Sequence, residues 1–163
     1  PNINQYDIKE VTKKFRGTLY SKVLDDNSAF DNIKIYSKKK DFTYKIILDG
    51  KVNNSFYKQT ALRSKDKYSV FFGGNYGIVK IIGGTKNGKH LLIIKDSYAN
   101  CFVPFVAGNY EQITMLDLRY YNGNVLNYVE SNHITDVLIL YSISNFIADK
   151  NLEKLSCKWD VLN

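Results

Sequence analysis

The stretch HLLIIKDSYANCFVPF, residues 90–105, decides the fold. A short apolar run breaks at Asp96 and Ser97, and the residues that follow are apolar at helical spacing. A strand that ends at a serine and continues into a helix holds the hydroxyl at the carboxyl edge of a sheet, where ligands of open α/β sheets bind. The helix offers backbone N–H groups and a positive dipole end to developing negative charge. Ser97 is therefore the predicted nucleophile.

The same residues also fit a purely structural role. Asp-Ser pairs often form turns or cap helices without any chemistry. We expect Asp96 to turn or cap this loop with its own side chain, because it is adjacent to Ser97. Tyr98 is predicted to pack rather than to take part in chemistry. The spacing alone leaves both interpretations of Ser97 open.

Residues 89–163 read as β-α-β-α-β-α with parallel strands. Three short apolar runs are typical of strands covered on both faces, namely residues 91–95, 113–118 and 137–141. Helices are predicted after each of them, beginning near Phe102 and then over residues 125–130 and 143–155. The first helix is expected to start nearer Phe102 than Ser97, because Pro104 is tolerated in a first turn.

Residues 1–88 read as mostly antiparallel strands. The runs there are short, alternating and separated by turn residues, and the predicted strands are residues 31–36, 42–48, 67–72 and 77–82. With 163 residues, 44% of them apolar, the chain fits a single domain. The predicted class is α/β, with antiparallel strands in the amino-terminal half and a parallel sheet in the carboxyl-terminal half.

Right-handed crossovers would place the three parallel strand ends side by side. Ser97 follows the first strand, Asp117 and Arg119 end the second, and residues 142–145 follow the third. We expect these residues to form one cleft. Arg119 fits either this cleft or a structural ion pair with Asp117 or Asp96, and Asn145 fits either the cleft or a helix cap.

Composition excludes some functions and leaves others open. The net charge of +7 fits an anionic partner, but the lysines form no nucleic-acid-reading motif, and residues 38–40 fit a hairpin tip. We therefore predict no nucleic-acid binding. No apolar stretch approaches the roughly 20 residues of a membrane span. Cys101 and Cys157 are expected to be buried thiols, and we predict neither a metal nor a cofactor.

Several segments, in order along the chain, resemble the carboxyl-terminal half of the bacterial DHHW proteins. They are FRGTLYSK (residues 15–22), FGGN (72–75), DSYAN (96–100), FVPF (102–105), DLRYY (117–121) and DVLILY (136–141). DHHW proteins belong to the wider SGNH (GDSL-type) hydrolase superfamily. The resemblance implies an SGNH or flavodoxin-like three-layer fold, with Ser97 as the nucleophile of an esterase or O-acyltransferase.

The resemblance also implies partners and supporting residues. The expected substrate is a small ester or an acylated carbohydrate of the cell envelope, and a membrane-bound O-acyltransferase is an expected partner. By similarity to SGNH enzymes, the oxyanion donors would be the N–H groups of Ser97 and Gly74 and the amide of Asn75, although Asn75 equally fits a turn. We expect the full-length protein to be extracellular or associated with the cell envelope, with any signal or anchor outside this chain.

One departure from the family pattern concerns the general base. The chain has no Asp-His-His-Trp motif, and His90 and His133 each stand before an apolar run, so both are expected at the amino edges of strands. A five-residue strand rises about 16 Å, which separates His90 from Ser97. Two interpretations follow: the chain is part of a longer protein that supplies the missing Asp and His, or the protein has lost catalysis. Either way, we predict that the chain alone is nearly inactive. The competing function is a non-catalytic carbohydrate-binding or assembly module for cell-surface polysaccharide modification.

Overall fold

A computed structural model describes residues 2–17, 29–39, 43–83 and 85–156. Its strands are β1 (Tyr6–Phe15), β2 (Asp31–Lys38), β3 (Lys45–Leu48), β4 (Lys51–Asn53), β5 (Ile78–Ile82), β6 (His90–Lys95), β7 (Gln112–Leu116) and β8 (Asp136–Leu140). Its α-helices are α1 (Ala99–Val106), α2 (Val125–Ser131) and α3 (Ile143–Ala148). Short 3₁₀ helices cover Ile3–Gln5, Gln59–Arg63, Lys67–Val70, Ala107–Asn109 and Lys150–Leu155.

Six of these strands form a mixed sheet in the order β4-β3-β5-β7-β6-β8. Strand β6 pairs in parallel with β7 on one side and with β8 on the other. Strands β4, β3 and β5 are antiparallel to their neighbours, and β5 is also antiparallel to β7. The predicted α/β class is confirmed, with parallel strands in the carboxyl-terminal half and antiparallel strands in the amino-terminal half.

Apolar side chains cover both faces of β6, the middle one of the three parallel strands. Successive residues of a strand point to opposite faces, so an unbroken apolar run buries both. Leu91 and Ile93 pack with Val103 of α1 in one cluster, and Leu92 and Ile94 pack with Val125 of α2 in the other. The two crossover helices therefore lie on opposite faces of the sheet.

The amino-terminal half differs from the prediction in two places. Strand β1 was not predicted, because most of its residues are exposed and show little apolar alternation; it pairs with β2 in a separate two-stranded sheet. The strand predicted over residues 67–72 is wrong, since Lys67–Val70 is a 3₁₀ helix. Ser69 donates a hydrogen bond to the side chain of Asp66 at 2.6 Å, a local bond that competes with strand pairing.

Two helix predictions in the carboxyl-terminal half are also wrong. Helix α1 begins at Ala99, nearer to Ser97 than to Phe102, and Pro104 lies inside it. In so short a helix, the proline removes a single bond to a preceding carbonyl. The helix predicted over residues 143–155 is divided at Asp149, which is extended and caps Lys150–Leu155 by accepting from the N–H of Asn151.

Other sequence predictions fall partly outside the described residues. Thr18 to Lys22 of the FRGTLYSK segment, Lys40 of the predicted hairpin tip and Cys157 lie there. Cys101 is only partly buried, and its thiol donates to the carbonyl of Tyr98 at 3.3 Å. None of the helices in the described part of the chain has the length and apolarity of a membrane span.

We predict that Gly77→Ala destabilises the fold, because an added Cβ would lie 2.9 Å from the carbonyl oxygen of Tyr120. Backbone cannot move aside as a flexible side chain can, so the free energy of unfolding should fall by about 1–3 kcal/mol in urea denaturation. Gly108→Ala is the matched control, since the new methyl would meet the end of the flexible Lys38 side chain and, at an ordinary contact distance of 3.6 Å, the hydroxyl of Tyr44. Equal effects of the two substitutions would contradict the packing argument.

Candidate active site

The carboxyl ends of β7, β6 and β8 meet at one edge of the sheet. Ile94 of β6 is in register with Leu116 of β7 and with Ile139 of β8. The residues that follow these strands therefore lie side by side. Hydrogen bonds from Asp96 join the ends of β6 and β8, and an ion pair between Lys95 and Asp117 joins the ends of β6 and β7.

Asp96 ties the end of β6 to the end of β8. Its side chain is fully buried, and Oδ1 accepts from the N–H of Tyr98 at 2.9 Å. Oδ2 accepts from the N–H and the hydroxyl of Ser142, both at 2.9 Å, and from the amide of Asn145 at 2.7 Å. Burial raises the pKa of the Asp96 carboxyl, but these hydrogen bonds outweigh it and hold the pKa below its ordinary value. Asp96 is thus an ionised anchor for the loop.

Asn145 does not cap the last helix. The cap of α3 is Ser142, whose hydroxyl accepts from the N–H of Asn145 at 3.3 Å. A serine in extended conformation before a helix is the usual arrangement for such a cap. The amide of Asn145 is free to donate to Asp96, so its role is to help fix that carboxylate.

Hydrogen bonds to the backbone carbonyl of Ser97 hold this residue in place, and its side-chain hydroxyl takes no part in them. Its carbonyl accepts from the hydroxyl of Tyr68 at 2.9 Å and from the N–H of Asn100 at 3.1 Å. Neither its Oγ nor its own N–H has a hydrogen-bond partner among the described residues. Burial raises the pKa of Tyr68, which keeps that hydroxyl a neutral donor. The predicted nucleophile is therefore positioned at the edge with a free hydroxyl.

Tyr98 does not pack as the sequence suggested. Its side chain is 62% exposed, because the turn at Asp96 holds the Tyr98 N–H inward while the ring lies at the surface. The carbonyl of Tyr98 accepts from the thiol of Cys101. The ring is thus accessible next to Ser97.

A buried ion cluster lies beside the serine turn. Arg119 donates to both oxygens of Asp117, from Nε at 2.8 Å and from Nη2 at 2.6 Å. The Nζ of Lys95 lies 3.6 Å from the same carboxylate, and both Lys95 and Asp117 are fully buried. The bidentate bond to Asp117 raises the pKa of Arg119, whereas burial lowers the pKa of Lys95 to about 8. The ion pair predicted for Arg119 with Asp117 is present.

The FGGN turn adds an amide to this edge. Phe72, Gly73 and Gly74 have φ values of 61°, 86° and 142°, and a Cβ on Gly73 would lie 2.8 Å from the side chain of Lys58. The Gly74 N–H is directed at the carbonyl of Phe71 at 3.4 Å, inside the turn. Asn75 follows, is exposed, and its Oδ1 accepts from the amide of Asn100 at 3.0 Å. Of the two donors predicted in this turn, the Gly74 N–H is directed into the turn, whereas the Asn75 side chain is exposed and can still donate.

Sequence reasoning missed three residues of this edge. Lys95 was detectable, since it is a charged residue at the end of an apolar strand, and Asn100 lies one helical turn after Ser97. Tyr68, 29 positions before Ser97, carried no such signal. Each of the three also makes a contact with a residue distant along the chain, namely Asp117 for Lys95, Asn75 for Asn100 and Ser97 for Tyr68.

Both histidines lie at the opposite edge. His90 is the first residue of β6, in register with Gln112, and its Nδ1 lies 3.1 Å from the carbonyl of Asn132. His133 is exposed and precedes β8. Strand β6 separates His90 from Ser97 by about 16 Å. In the part of the chain that the structure describes, no histidine reaches Ser97, and no group of three His, Cys, Asp or Glu side chains could hold a metal ion.

A cavity of about 850 Å³ lies away from Ser97. Its lining includes Tyr44, Phe56 and Tyr57, together with Ile82 at the end of β5. Because β5 is antiparallel to β7, Ile82 lies beside Gln112 at the amino edge of the parallel strands. We therefore assign the candidate site by its chemistry, at the carboxyl edge, and not by cavity size.

Comparison with solved structures agrees with the resemblance seen in the sequence. The chain is similar to a DHHW family protein from Eubacterium siraeum, with 26% identity, a TM-score of 0.78 and 95% of this chain covered. The identification with the DHHW family is supported. Two structures of PatB1 from Bacillus cereus share the fold at 24% and 23% identity, with TM-scores of 0.66 and 0.63 over 89% of this chain.

The chain spans about half the length of these structures, namely 54% of the Eubacterium siraeum protein and 51% and 49% of the two PatB1 chains. No protein-family model and no curated protein sequence matches it.

We predict that Asp96→Asn lowers the free energy of unfolding by about 2–4 kcal/mol at neutral pH, because the amide leaves buried donors of Ser142 and Asn145 unpaired. Urea denaturation measures this loss. The folded pKa lies below the unfolded value of about 3.9, so the contribution is complete above that pH and is lost as the pH falls through the folded pKa. The difference between variant and wild type should therefore shrink in acid. Asp136→Asn, at an exposed carboxylate, is the control, and an equally small effect of both would contradict the anchor.

We predict that Lys95→Met alters the pH dependence of stability. The folded pKa of Lys95 is about 8, below the unfolded value of about 10.4. Between these values the unfolded chain binds more protons, so the free energy of unfolding of the wild type should rise with pH relative to the variant. Denaturation at several pH values within that window measures the difference. Lys89→Met removes an exposed lysine next to the same strand and should keep the wild-type slope; a parallel pH profile for Lys95→Met would refute the prediction.

Proposed function

We propose that this chain carries the nucleophile part of an SGNH-type serine esterase or O-acyltransferase site. The observation that supports this most directly is the free hydroxyl of Ser97 at the carboxyl edge of three parallel strands, with the amide of Asn75 at the same edge. Its own N–H is also free among the described residues. Acyl transfer by a serine requires a nucleophile, oxyanion donors and a general base, and in this proposal Ser97 and Asn75 supply the first two of these.

In this proposal, Oγ of Ser97 attacks the carbonyl carbon of an ester while a general base takes its proton. The tetrahedral oxyanion accepts hydrogen bonds from the Ser97 N–H and the Asn75 amide. The C–O bond to the leaving alcohol then breaks, the alcohol takes the proton, and the acyl group remains on Ser97. Water or a glycan hydroxyl then attacks this ester while the base takes its proton. The bond between the acyl carbon and Oγ breaks and the base returns the proton to Oγ, which transfers the acyl group and restores the serine.

The base is proposed to come from polypeptide outside this chain. Neither histidine of the described part is near Ser97, and the chain spans 54% of its DHHW relative. An apolar surface beside the site fits such a contact: Val137 and Ile139 of the outermost strand β8 are about half exposed, and Ile143 and Ile147 of α3 are 81% and 80% exposed. A segment bound there would lie next to Ser142, and therefore next to Asp96 and Ser97.

The substrate class follows from the resemblance. We propose an acyl ester of a cell-envelope carbohydrate, a membrane-bound O-acyltransferase as a partner, and a location outside the cell or in its envelope. One of the PatB1 structures carries a sulfonyl adduct, and sulfonyl groups attach covalently to activated nucleophiles. That chemistry is consistent with a reactive hydroxyl in this fold.

A non-catalytic binding or assembly module is the second candidate function. It is favoured by the same exposed apolar surface on β8 and α3, which fits a protein contact whether or not Ser97 reacts. In that case Ser97→Ala would bind an acetylated cell-wall polysaccharide as well as the wild type. The catalytic proposal requires covalent chemistry at Ser97 itself.

The two functions are separated by labelling with a fluorophosphonate, with and without free imidazole as a substitute for the missing base. We expect slow labelling of the chain alone and an increase of about tenfold or more at Ser97 with imidazole, since a positioned base contributes about 100- to 10,000-fold. Mass spectrometry of the digested protein identifies the labelled serine.

Ser97→Ala is the negative control, and Ser142 is an internal one, because its hydroxyl already donates to Asp96. Absence of an adduct on Ser97 in the presence of imidazole, or equal labelling of the Ser97→Ala variant, would rule out the catalytic proposal.

A further inference from the structure

The ammonium group of Lys95 is buried and can only donate hydrogen bonds. It lies 3.0 Å from Oδ1 of Asn100 and 3.6 Å from the carboxylate of Asp117. Arg119 already donates to both oxygens of that carboxylate. The side-chain oxygen of Asn100 is therefore the acceptor to which Lys95 donates at hydrogen-bond distance.

This bond determines which way the amide of Asn100 is turned. An amide has an oxygen that accepts and a nitrogen that donates, and only the oxygen can face an ammonium group. With Oδ1 directed at Lys95, Nδ2 of Asn100 faces the other way and donates to Oδ1 of Asn75 at 3.0 Å. Asn100 is itself buried, its contact with Lys95 is buried, and its contact with the exposed Asn75 is part-buried.

The orientation of Asn75 follows from that of Asn100. Because Oδ1 of Asn75 accepts from Asn100, its Nδ2 faces away from Asn100. Asn75 is exposed, and its Nδ2 has no partner among the described residues. The amide nitrogen is thus available as a donor at the edge where Ser97 lies.

We propose that Lys95 is a positioning residue that acts through Asn100 to keep Nδ2 of Asn75 turned outward as a donor for the oxyanion. The role of Asn75 rests on the proposed function; the orientation itself does not. The relay is also attached to the nucleophile, because the N–H of Asn100 donates to the carbonyl of Ser97 at 3.1 Å. Asn100 therefore links the serine turn, through its backbone N–H, to the orientation of the Asn75 amide, through its side chain.

The variant Asn100→Asp tests the relay, because it changes one donor into an acceptor without changing the shape of the side chain. A carboxylate still accepts from Lys95 but cannot donate to Asn75. The amide of Asn75 should then reverse and give its Nδ2 to the carboxylate. Thermal denaturation checks that the variant is folded.

Side-chain amide NMR provides a measurement that does not depend on activity. The Asn75 signals are identified by their loss in Asn75→Ala. We expect their exchange with water to be fast in the wild type and slower by about tenfold or more in Asn100→Asp, where the amide becomes hydrogen-bonded and turned inward. Asn132→Asp is the matched control, since it makes the same charge change at the other edge of the sheet, 3.5 Å from Lys80. Equal exchange of the Asn75 amide in wild type and Asn100→Asp overturns the relay.

Lys95→Met tests the first step separately. Without the ammonium, nothing selects one orientation of the Asn100 amide, so the exchange of the Asn75 amide should lie between the values of the wild type and of Asn100→Asp. Exchange identical to the wild type would show that Lys95 does not set the orientation, and would overturn its role.

Fluorophosphonate labelling with imidazole then tests the oxyanion role. We expect Asn100→Asp to slow labelling of Ser97 by about 100- to 1000-fold, the usual effect of losing one oxyanion donor. A reversed Asn75 amide with unchanged labelling would overturn the oxyanion role. Absence of labelling in the wild type would contradict the proposed function, and with it the oxyanion role, whereas the exchange measurement would still decide the orientation.

Discussion

The hydrogen bonds to the buried carboxylate of Asp96 are the interaction on which the carboxyl edge depends. This one side chain accepts from the Tyr98 N–H, from two groups of Ser142 and from Asn145. It therefore shapes the turn that carries Ser97 and fastens that turn to the beginning of α3. Asp96 needs these partners because of its place in the sheet. Strand β6 is buried between two parallel neighbours, β7 and β8, so polar groups at its end must find hydrogen-bond partners within the protein. The ionised carboxylate of Asp96 meets that requirement by accepting hydrogen bonds from four donors.

The need for partners at a buried strand end also explains the charged residues at the ends of β6 and β7. Lys95 is the last residue of β6 and Asp117 follows β7, and both are fully buried. Asp117 is neutralised by Arg119 from the surface side, so Lys95 uses an uncharged acceptor, Asn100, on the helix that begins just after the serine. A strand end that is buried on all sides thus produces a polar network in which each orientation is determined by a neighbour.

The sequence predicted the strands that consist of consecutive apolar residues. The strands near residues 91–95 and 113–118 were predicted because a strand covered on both faces is apolar at every position. The apolar run over residues 137–141 predicted a strand correctly, but not its coverage, since Val137 and Ile139 of this outermost strand are about half exposed. Strand β1 was missed because its residues are largely exposed, and residues 67–70 were misassigned because Asp66 and Ser69 satisfy each other locally. Pairing within a half-exposed sheet leaves a much weaker pattern in the chain.

Chain order predicted which candidate residues lie at the carboxyl edge, but it did not predict the contacts among them. Ser97 follows the first predicted strand, and Asp117 and Arg119 lie at the end of the second, so topology alone places them at one edge. The direction of a side chain is different, since the amide of Asn75 is set by Asn100, 25 positions later, and the donor expected from Gly74 is used within its own turn. The prediction that Asn145 could cap the last helix failed for the same reason. Serine and asparagine both suit a helix start, and only the contact of Asn145 with Asp96 shows that Ser142 is the cap.

The distribution of polar and apolar groups around Ser97 indicates from which side a base would have to approach. On the β7 side, the edge is occupied by the Asp117–Arg119 pair and by the turn that carries Asn75. On the β8 side, the outermost strand and α3 expose large apolar side chains next to the loop that Asp96 holds. Exposing that apolar surface to water is unfavourable, and no histidine of the described residues lies near Ser97. A polypeptide contact on the β8 side would satisfy both conditions at once, since the segment that covers the apolar side chains would also be adjacent to the serine.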